Sequence, residues 1–276
     1  MSLVREPAVS GSFYPDNPKV LRRTIESYLE NAEIPHIESD PVGILSPHAG
    51  YMYSGQVAAY GYKTLIGREY DTVIIIGPSH RAYFDGLALM EKGGYKTPLG
   101  VVKVDEDMAS EILRLGSHIF ISNFRAHLGE HSLEVQLPFL QVVLREFKIL
   151  PILMGAQNRA TWREAASVIG KVCEGARKRI LFLGSTDLSH YYPYEKAVKL
   201  DSLVIKHAKA FDIEGMERDY ESETFEACGG GPMIAVMILS KMRGAKKGIV
   251  LKYANSGDTS GDRSQVVGYL SAVFLE

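Results

Sequence analysis

Cysteine is scarce in this chain, since its 276 residues include only Cys173 and Cys228. Two cysteines cannot form the disulfide framework of a small secreted protein. Free cysteines are typical of a reducing compartment, and 46% hydrophobic residues are enough for an ordinary core. We therefore expect a cytoplasmic protein that is stabilised by its core rather than by cross-links.

An excess of charge of either sign is also absent. The chain has 31 Lys and Arg residues against 33 Asp and Glu residues, which gives a net charge of −2. This balance offers no electrostatic basis for binding nucleic acid or an anionic membrane. No apolar run reaches the roughly 18 residues of a membrane span. The N-terminus lacks the apolar stretch and small-residue cleavage site of a signal peptide. No nucleic-acid or membrane partner is expected.

Common nucleotide and hydrolase fingerprints are missing. The sequence contains neither GxGxxG after a strand nor GxxxxGK followed by Ser or Thr, the patterns of dinucleotide and phosphate loops. It also lacks the GxSxG nucleophile elbow of the α/β-hydrolases. These absences exclude the usual signatures of nucleotide-dependent enzymes and serine hydrolases.

Short apolar runs alternate with helical patterns along the chain. Unbroken apolar runs are typical of strands covered on both faces, as in parallel sheets. Such buried strands are predicted at Val42–Ser46, Thr72–Gly77, Lys148–Met154 and Arg179–Gly184. Shorter strands are predicted at Gly86–Met90, Val101–Val104, Ile249–Asn255 and Val266–Phe274. Helices are predicted at Gly55–Leu65, Glu106–Leu115, Ser132–Leu144, Thr161–Glu174, Tyr194–Phe211, Glu214–Tyr220 and Gly231–Arg243. The pattern indicates one α/β domain over residues 1–276, with helices on both sides of a mainly parallel, mixed sheet.

Three of these strands run into a loop that carries a histidine. His48 follows Val42–Ser46, His80 follows Thr72–Gly77, and His190 follows Arg179–Gly184. In open α/β sheets, ligands bind outside the carboxyl ends of the strands. If the strands are parallel and adjacent, these three histidines emerge at one edge, and the sequence predicts a site there.

Cys228 lies in a glycine-rich segment, ACGGGP, directly before an apolar helix. The positive end of a helix dipole lowers the pKa of a thiol and favours the thiolate, which is both a nucleophile and a soft metal ligand. Gly229 and Gly230 allow close approach of the backbone to a ligand. We expect both glycines, together with Ser189, to line the pocket.

The remaining histidines and Cys173 are interpreted as ordinary residues. His131, at the predicted start of a helix, either reaches the pocket or faces solvent. Cys173 is expected to be a small buried hydrophobe, as free cysteines often are. The histidines without a motif context are predicted to lie on the surface: His36, His118, His127 and His207.

Three kinds of chemistry are open to this set of residues. Two histidines and a thiolate make a three-ligand site with a free position, which suits a catalytic iron, copper or zinc ion; His190, near Asp187, would then act as acid or base. Alternatively, Cys228 is a nucleophile of a hydrolase or transferase, with His190 as its base. In a third interpretation the glycine-rich loop binds a phosphate or phosphopeptide without any reaction.

Motifs along nearly the whole chain resemble those of the MEMO family (mediator of cell motility). The first is REPAVSGSFYP at residues 5–15, followed by PHAGYMYSG at 47–55 and GPSH at 77–80. The resemblance continues through EHSLEVQLPF at 130–139, GSTDLSHY at 184–191 and CGGGP at 228–232.

The resemblance implies a fold similar to the class III extradiol (LigB-type) non-haem iron dioxygenases. His48 and His80 match the two metal-binding histidines of those enzymes, and His190 matches the acid/base histidine. Cys228 stands where the dioxygenases have a glutamate. The family resemblance implies an iron(II) or copper site with redox activity, a small-molecule or peptide ligand, and a radical-SAM companion protein.

The cysteine is a departure from the dioxygenase pattern, in which a carboxylate completes the iron site. A thiolate makes the site softer, so dioxygenase activity itself is not carried over. Metal-dependent redox chemistry on an unidentified substrate is the function the sequence favours. A non-catalytic binding module and a cysteine-dependent enzyme remain the alternatives.

Overall fold

The computed structural model describes residues 3–276, which form twelve strands and ten α-helices. The strands are β1 (Val4–Arg5), β2 (Gly43–Ser46), β3 (Thr72–Pro78), β4 (Leu87–Leu89), β5 (Gly94–Thr97), β6 (Gly100–Lys103), β7 (Phe120–Ser122), β8 (Lys148–Met154), β9 (Ile180–Ser185), β10 (His190–Tyr192), β11 (Lys247–Asn255) and β12 (Val266–Leu275). The helices are α1 (Pro18–Asn31), α2 (Tyr51–Lys63), α3 (Glu106–Leu115), α4 (Phe124–Leu128), α5 (Leu137–Val143), α6 (Arg159–Gly175), α7 (Tyr194–Ala210), α8 (Ile213–Glu221), α9 (Gly230–Met242) and α10 (Ser256–Ser260). None of the helices in this part of the chain is long and apolar enough to cross a membrane.

Four parallel strands form the centre of the main sheet, in the order β2, β9, β3, β8. Every residue of β2, β3 and β9 is buried, and β8 exposes only Lys148. Both faces of these strands are therefore covered, by helices that include α2 and α9, which both pack on β2. The four buried strands predicted from the apolar runs are confirmed, and they explain why these runs show no polar alternation.

Antiparallel strands extend this parallel centre on both sides. β12 pairs with β2, and both β10 and β11 pair with β12. On the other side, β4 pairs antiparallel with β8 and parallel with β7. The predicted strand Val101–Val104 is not part of this sheet, since β6 belongs to a separate three-stranded sheet in the order β1, β5, β6. The architecture is α/β with mixed sheets and flanking helices.

Two predictions of helices need correction. The predicted helix Ser132–Leu144 is a helix only from Leu137 onwards, preceded by a 3-10 turn at Glu134–Gln136. The amides of His131 and Ser132 are bound by the Glu130 carboxylate, and Pro138 favours the first turn of a helix. Helix α1 was not expected, although its Asn17 cap, followed by proline, is a recognisable start signal.

Two histidines predicted on the surface are buried, each with at least one ring nitrogen next to a polar group, although Nε2 of His127 has no hydrogen-bond partner among the described residues. His127 is fully buried, and its Nδ1 atom lies 2.6 Å from the hydroxyl of Tyr95. His207 is buried between carboxylate oxygens of Asp212, 3.0 Å from Nδ1, and Asp219, 2.8 Å from Nε2.

The remaining predictions of this kind are confirmed. His36 and His118 are exposed. Cys173 is fully buried in α6, where burial raises its pKa to about 12.

The single tryptophan joins α6 to α8. Trp162 is fully buried, and its indole Nε1–H donates a hydrogen bond of 2.8 Å to Oε1 of Glu217, which is also buried. Arg163 and Arg159 form ion pairs with the same carboxylate. Burial by itself raises the pKa of Glu217. Hydrogen bonds from Arg163 and Trp162 together with nearby arginine charges lower the pKa by more than burial raises it, so the net pKa is below its usual value. The carboxylate is thus bound in its ionised form.

Replacing this carboxylate is expected to destabilise the fold in a pH-dependent way. Glu217→Gln should lower the free energy of unfolding at pH 7 by about 2–4 kcal/mol, because two arginines and an indole lose a charged acceptor. The native carboxyl has a lowered pKa, so its contribution is present above the unfolded pKa of about 4.3 and is lost as the pH falls further. Urea unfolding followed by tryptophan emission, from pH 7 to pH 3, should show the two proteins converge in acid. The exposed Glu38→Gln serves as control, and a constant difference across this range would contradict the expectation.

Candidate metal centre

His48 and His80 lie at the same edge of the sheet, just beyond the carboxyl ends of β2 and β3. These strands flank β9 in the parallel centre, so their ends emerge side by side. The two imidazole rings are 5.2 Å apart between centroids and nearly perpendicular. His48 is buried, whereas the side chain of His80 is 29% exposed. The predicted meeting of strand-end histidines is confirmed for this pair.

Cys228 joins the pair from the loop before α9. Its Sγ atom lies 3.1 Å from Nε2 of His48. One donor atom each of His48, His80 and Cys228 lies within 4.8 Å of the other two. The structure therefore brings together the three residues that the sequence predicts as metal ligands.

The ring of His48 is oriented by a chain of hydrogen bonds behind it. Ser185, at the end of β9, donates its hydroxyl proton to the carbonyl of Ser132 at 2.6 Å. Its Oγ atom must then accept from His48 Nδ1, at 2.9 Å, and it also accepts from Gln136 Nε2 at 2.8 Å. The Gln136 amide is itself oriented, because its oxygen accepts from the hydroxyl of Tyr62. His48 therefore carries its proton on Nδ1, and its Nε2 lone pair is directed towards Cys228.

Glu130 orients His80 in the same way, and the sequence analysis missed this role. Its carboxylate accepts from His80 Nδ1 at 2.9 Å and from the backbone amides of His80, His131 and Ser132. Burial by itself raises the pKa of Glu130, but these hydrogen bonds, led by that from the His80 ring, lower it to about 2. An ionised carboxylate only accepts, so the Nδ1 atom of His80 carries the proton and Nε2 is free. The available signals in the sequence were the motif EHS at residues 130–132 and the position of His80, two residues after the end of β3.

The expected thiolate at Cys228 needs correction for the metal-free protein. Burial, and after it the nearby Asp187 carboxyl, raise the pKa of the Cys228 thiol well above its usual value, although the Asp187 amide opposes this. The cost of desolvating a charged sulfur outweighs the favourable helix dipole. Burial likewise lowers the pKa of His48, followed by the neighbouring His131 and His80, so the ring is neutral. A cation in the centre would be needed to hold the sulfur as thiolate.

Asp187 lies behind the centre and supports both sides of it. Its Oδ1 atom accepts the backbone amide of His48 at 2.8 Å, and its own amide donates to Sγ of Cys228 at 3.3 Å. Burial raises its pKa to about 7, against the lowering effect of the amides of His48 and Ala49. Asp187 thus positions one ligand from each of two loops.

His190 and Ser189 follow β9 on the same edge, but His190 makes no hydrogen bond to the sulfur in the described chain. His190 begins β10, is half-buried, and has its pKa lowered by burial, partly offset by the Leu188 carbonyl. In the described chain the ring bonded to Cys228 is that of His48 rather than His190. Ser189 is fully buried, and its amide donates to Asp201, so it supports the loop instead of lining an open pocket.

His131 belongs to the pocket, which decides the alternative that the sequence left open. Its ring stacks on His80 with 4.8 Å between centroids, faces the edge of His48 at 5.5 Å, and packs against Phe13 at 5.0 Å. His80, Glu130 and His131 also form a group with donor atoms within 4.8 Å. Glu130 already accepts four N–H groups, so the group of His48, His80 and Cys228 is the better metal site.

The glycines before α9 are needed for packing. A Cβ atom on Gly229 would lie 2.3 Å from the Ser185 carbonyl oxygen, and one on Gly230 would lie 2.2 Å from the ring of Tyr220. The amides of Gly229 and Gly231 already donate to Thr186 and Gln157 side chains, and that of Gly230 donates to the Ala227 carbonyl. The loop therefore offers no free amides to cradle a phosphate, and its close packing keeps Cys228 next to β9.

The N-terminal segment holds the loop that carries Glu130 and Gln136, the residues behind His80 and Ser185. Arg5 is fully buried, forms an ion pair with Glu134, and donates to the carbonyls of His127 and Glu130. Glu134 also accepts from the Ala8 and Val9 amides and from the hydroxyl of Tyr14. The motif at residues 5–15 thus has a structural purpose, which is to hold residues 127–136 in place.

Comparisons with known proteins agree over almost the whole chain. A family model described as "Memo-like protein" matches residues 5–273. The chain is 43% identical to a MEMO1 family protein of Sulfolobus acidocaldarius, with 99% of each chain covered. It is 41% identical to one of Methanopyrus kandleri, with 98% of each covered, and 39% identical to one of Methanobrevibacter smithii, with 99% of this chain and 100% of the relative covered.

The tautomer of His48 can be tested without any metal. Long-range proton–nitrogen NMR at pH 7 should show the His48 ring in its Nδ1–H form. Ser185→Ala should redistribute that proton and lower the free energy of unfolding by about 1–3 kcal/mol, because two buried donors lose their acceptor. The exposed helix serine in Ser202→Ala is the matched control. An unchanged His48 tautomer in Ser185→Ala would contradict the assigned role of Ser185.

The N-terminal clamp predicts strong coupling between its two charges. Arg5→Met and Glu134→Gln should each cost about 3–5 kcal/mol of unfolding free energy, because each leaves a buried charge without its partner. The double variant should cost clearly less than the sum, as chemical denaturation of all four proteins would show. Additive losses would mean that the two residues act independently.

Proposed function

Because the chain belongs to the Memo-like family, we propose that it works through a metal centre formed by His48, His80 and Cys228. One observation carries this proposal. Both histidines are held as Nδ1–H tautomers, and their donor atoms meet the Cys228 sulfur within 4.8 Å. Histidine ligands supported from behind by a carboxylate or hydroxyl are typical of metal sites.

The donor set suits a soft or borderline ion with an open coordination position. Three protein ligands are typical of catalytic rather than structural sites. Two imidazoles and one thiolate fit copper or iron(II), and zinc is compatible with the same atoms. The raised pKa of the Cys228 thiol supports this choice, since binding of a cation would repay the cost of forming a buried thiolate.

We propose redox chemistry on a small molecule or peptide as the activity of this centre. A bound iron or copper ion would supply the electron transfer. The chain would contribute His190 as the acid or base, at the same edge of the sheet, with Asp187 holding the His48 and Cys228 loops. His131 and Phe13 would form one wall for the substrate. A fold like that of the LigB-type dioxygenases is part of this proposal, whereas ring cleavage is not, because Cys228 replaces the carboxylate.

The geometry favours this function over the two alternatives. A cysteine nucleophile activated by His190 lacks the required contact, because the thiol is bonded to His48 and has a raised pKa. A phosphate-binding module would need free amides before α9, and these amides have protein partners. A cytoplasmic location fits the two free cysteines, and the radical-SAM companion protein stays a prediction.

Metal affinity tests the proposal directly. Protein prepared without an affinity tag is titrated anaerobically with copper(I), iron(II) and zinc(II) against a chromophoric chelator. Loss of a residue that only hydrogen-bonds to a metal ligand weakens metal binding about 10–100-fold. Loss of a ligand itself should cost more, so Cys228→Ser and His48→Ala should each weaken binding at least about 100-fold. Cobalt(II) should give a sulfur-to-metal charge-transfer band that is absent in Cys228→Ser.

Cys173→Ala is the matched control, since its thiol is buried in α6 away from the centre. It should bind metal as the wild type does. Equal affinity of wild type and Cys228→Ser for all three ions would overturn the proposed centre.

A further inference from the structure

Asp201 is a fully buried carboxylate on α7 that the metal centre does not use. Its Oδ1 atom accepts the backbone amide of Ser189 at 3.0 Å, and its Oδ2 atom accepts from the hydroxyl of Tyr253 at 2.7 Å. Both oxygens accept hydrogen bonds, as those of an ionised carboxylate do.

The charge of Asp201 has no cationic partner to offset its burial. No Lys, Arg or His nitrogen lies within 4.0 Å of it among residues 3–276. Such a carboxylate is costly. Burial accordingly raises the pKa of Asp201, although Tyr253 and Ser189 oppose this. An amide of the same shape would avoid the cost, so the charge itself needs an explanation.

Gly268 of β12 makes room for Asp201 and also holds the loop before β10. A Cβ atom on Gly268 would lie 2.0 Å from Oδ2 of Asp201, so the carboxylate can lie there only next to a glycine. The Leu188 amide donates to the Gly268 carbonyl at 2.8 Å, and the Gly268 amide donates to the Ser189 carbonyl at 3.0 Å. The loop is therefore held by β12 through two backbone hydrogen bonds and by α7 through the Ser189 amide.

His190 directly follows this loop and begins β10. Burial lowers the pKa of its ring, whereas the Leu188 carbonyl and the carboxylates of Glu226 and Asp201 raise it, and His80 lowers it. Of the two carboxylates only Asp201 is buried, and a buried charge is screened less than an exposed one. The other ionisable side chains on β10, in the loop before it and on β12 are Tyr191, Tyr192, Asp187 and Tyr269, and α7 adds Lys196, which lies over the Tyr192 ring.

We propose that Asp201 is the positioning residue of His190, which it serves by fixing the start of β10 from inside the protein and by placing a buried negative charge next to it. The inference rests on the role proposed above for His190 as acid or base. Such a group must be held in place and must be able to take up and release a proton near the working pH. Burial favours the neutral ring, and the Asp201 carboxylate counteracts this.

The charge of His190 in metal-free protein tests this role. Carbon–proton NMR of the histidine rings, from pH 4 to pH 8, follows each ring separately, and loss of a signal in His190→Gln identifies that of His190. Asp201→Asn keeps the shape of the side chain and removes its charge, so it should lower the pKa of His190. Glu195→Gln is the matched control, an exposed carboxylate on the same helix, and should leave this pKa unchanged.

Tyr253→Phe separates the charge of Asp201 from its structural role. This variant loses a hydrogen bond of the same carboxylate but keeps the charge, so the pKa of His190 should fall less than in Asp201→Asn. A purely structural role predicts equal changes in the two variants. Equal changes, or an unchanged His190 pKa in Asp201→Asn, would overturn the proposal.

The reciprocal measurement keeps the test open if Asp201→Asn does not fold. Coupling between two sites is mutual, so His190→Gln should raise the pKa of the Asp201 carboxyl, which is followed through its carbon-13 signal. An unchanged Asp201 pKa would contradict the proposal. Neither measurement uses a metal or an activity, so their failure is distinct from a failure of the metal titrations of Cys228→Ser and His48→Ala.

Discussion

The hydroxyl of Ser185 is the constraint on which the candidate centre depends. It has one proton to give, and the carbonyl of Ser132 takes it. Its oxygen is then left to accept from the His48 ring and from Gln136. This arrangement places the proton of His48 on Nδ1, which faces Ser185, so the Nε2 atom is free to bind an ion. The serine lies at the end of β9, in the parallel centre, where the backbone is held from both sides.

The buried charges explain how a loop can be held as precisely as a strand. Glu130 lies in the loop after α4 and Glu134 begins the 3-10 turn before α5, and both are fully buried. Glu130 accepts hydrogen bonds from the His80 ring and from the Ser132 amide. Glu134 pairs with the guanidinium of Arg5 and accepts from amides of the N-terminal segment. Buried charges remain stable only when they are paired and hydrogen-bonded. The same contacts that satisfy them hold His80 and His131 in their places.

Much of the fold follows from local patterns, whereas several features of the site do not. Unbroken apolar runs identified the four central strands, and the acidic start of α3 identified that helix to the residue. The hydrogen bonds behind the two histidines were not visible in the sequence, because Ser185, Gln136 and Glu130 are ordinary polar residues whose importance comes from partners 49 to 137 positions away. The direction of the Cys228 pKa was wrong for a related reason. A helix start can be read from the sequence, but the burial that outweighs it depends on Ser185, Thr186 and Tyr220 closing around the glycines.

The sequence by itself determined the α/β class and the strand ends at which His48 and His80 emerge, because these depend on periodicity and on the position of a residue relative to a strand end, which are local properties of the chain. The assignment of Cys228 as the partner of these two histidines came from the resemblance to the MEMO family. The tertiary structure decided which nitrogen of each histidine is free, that His131 belongs to the pocket, that the sulfur is bonded to His48 rather than to His190, and that burial raises the pKa of the thiol. Protonation and orientation depend on the donors, acceptors and burial that surround a side chain, and those surroundings exist only after distant segments have packed together.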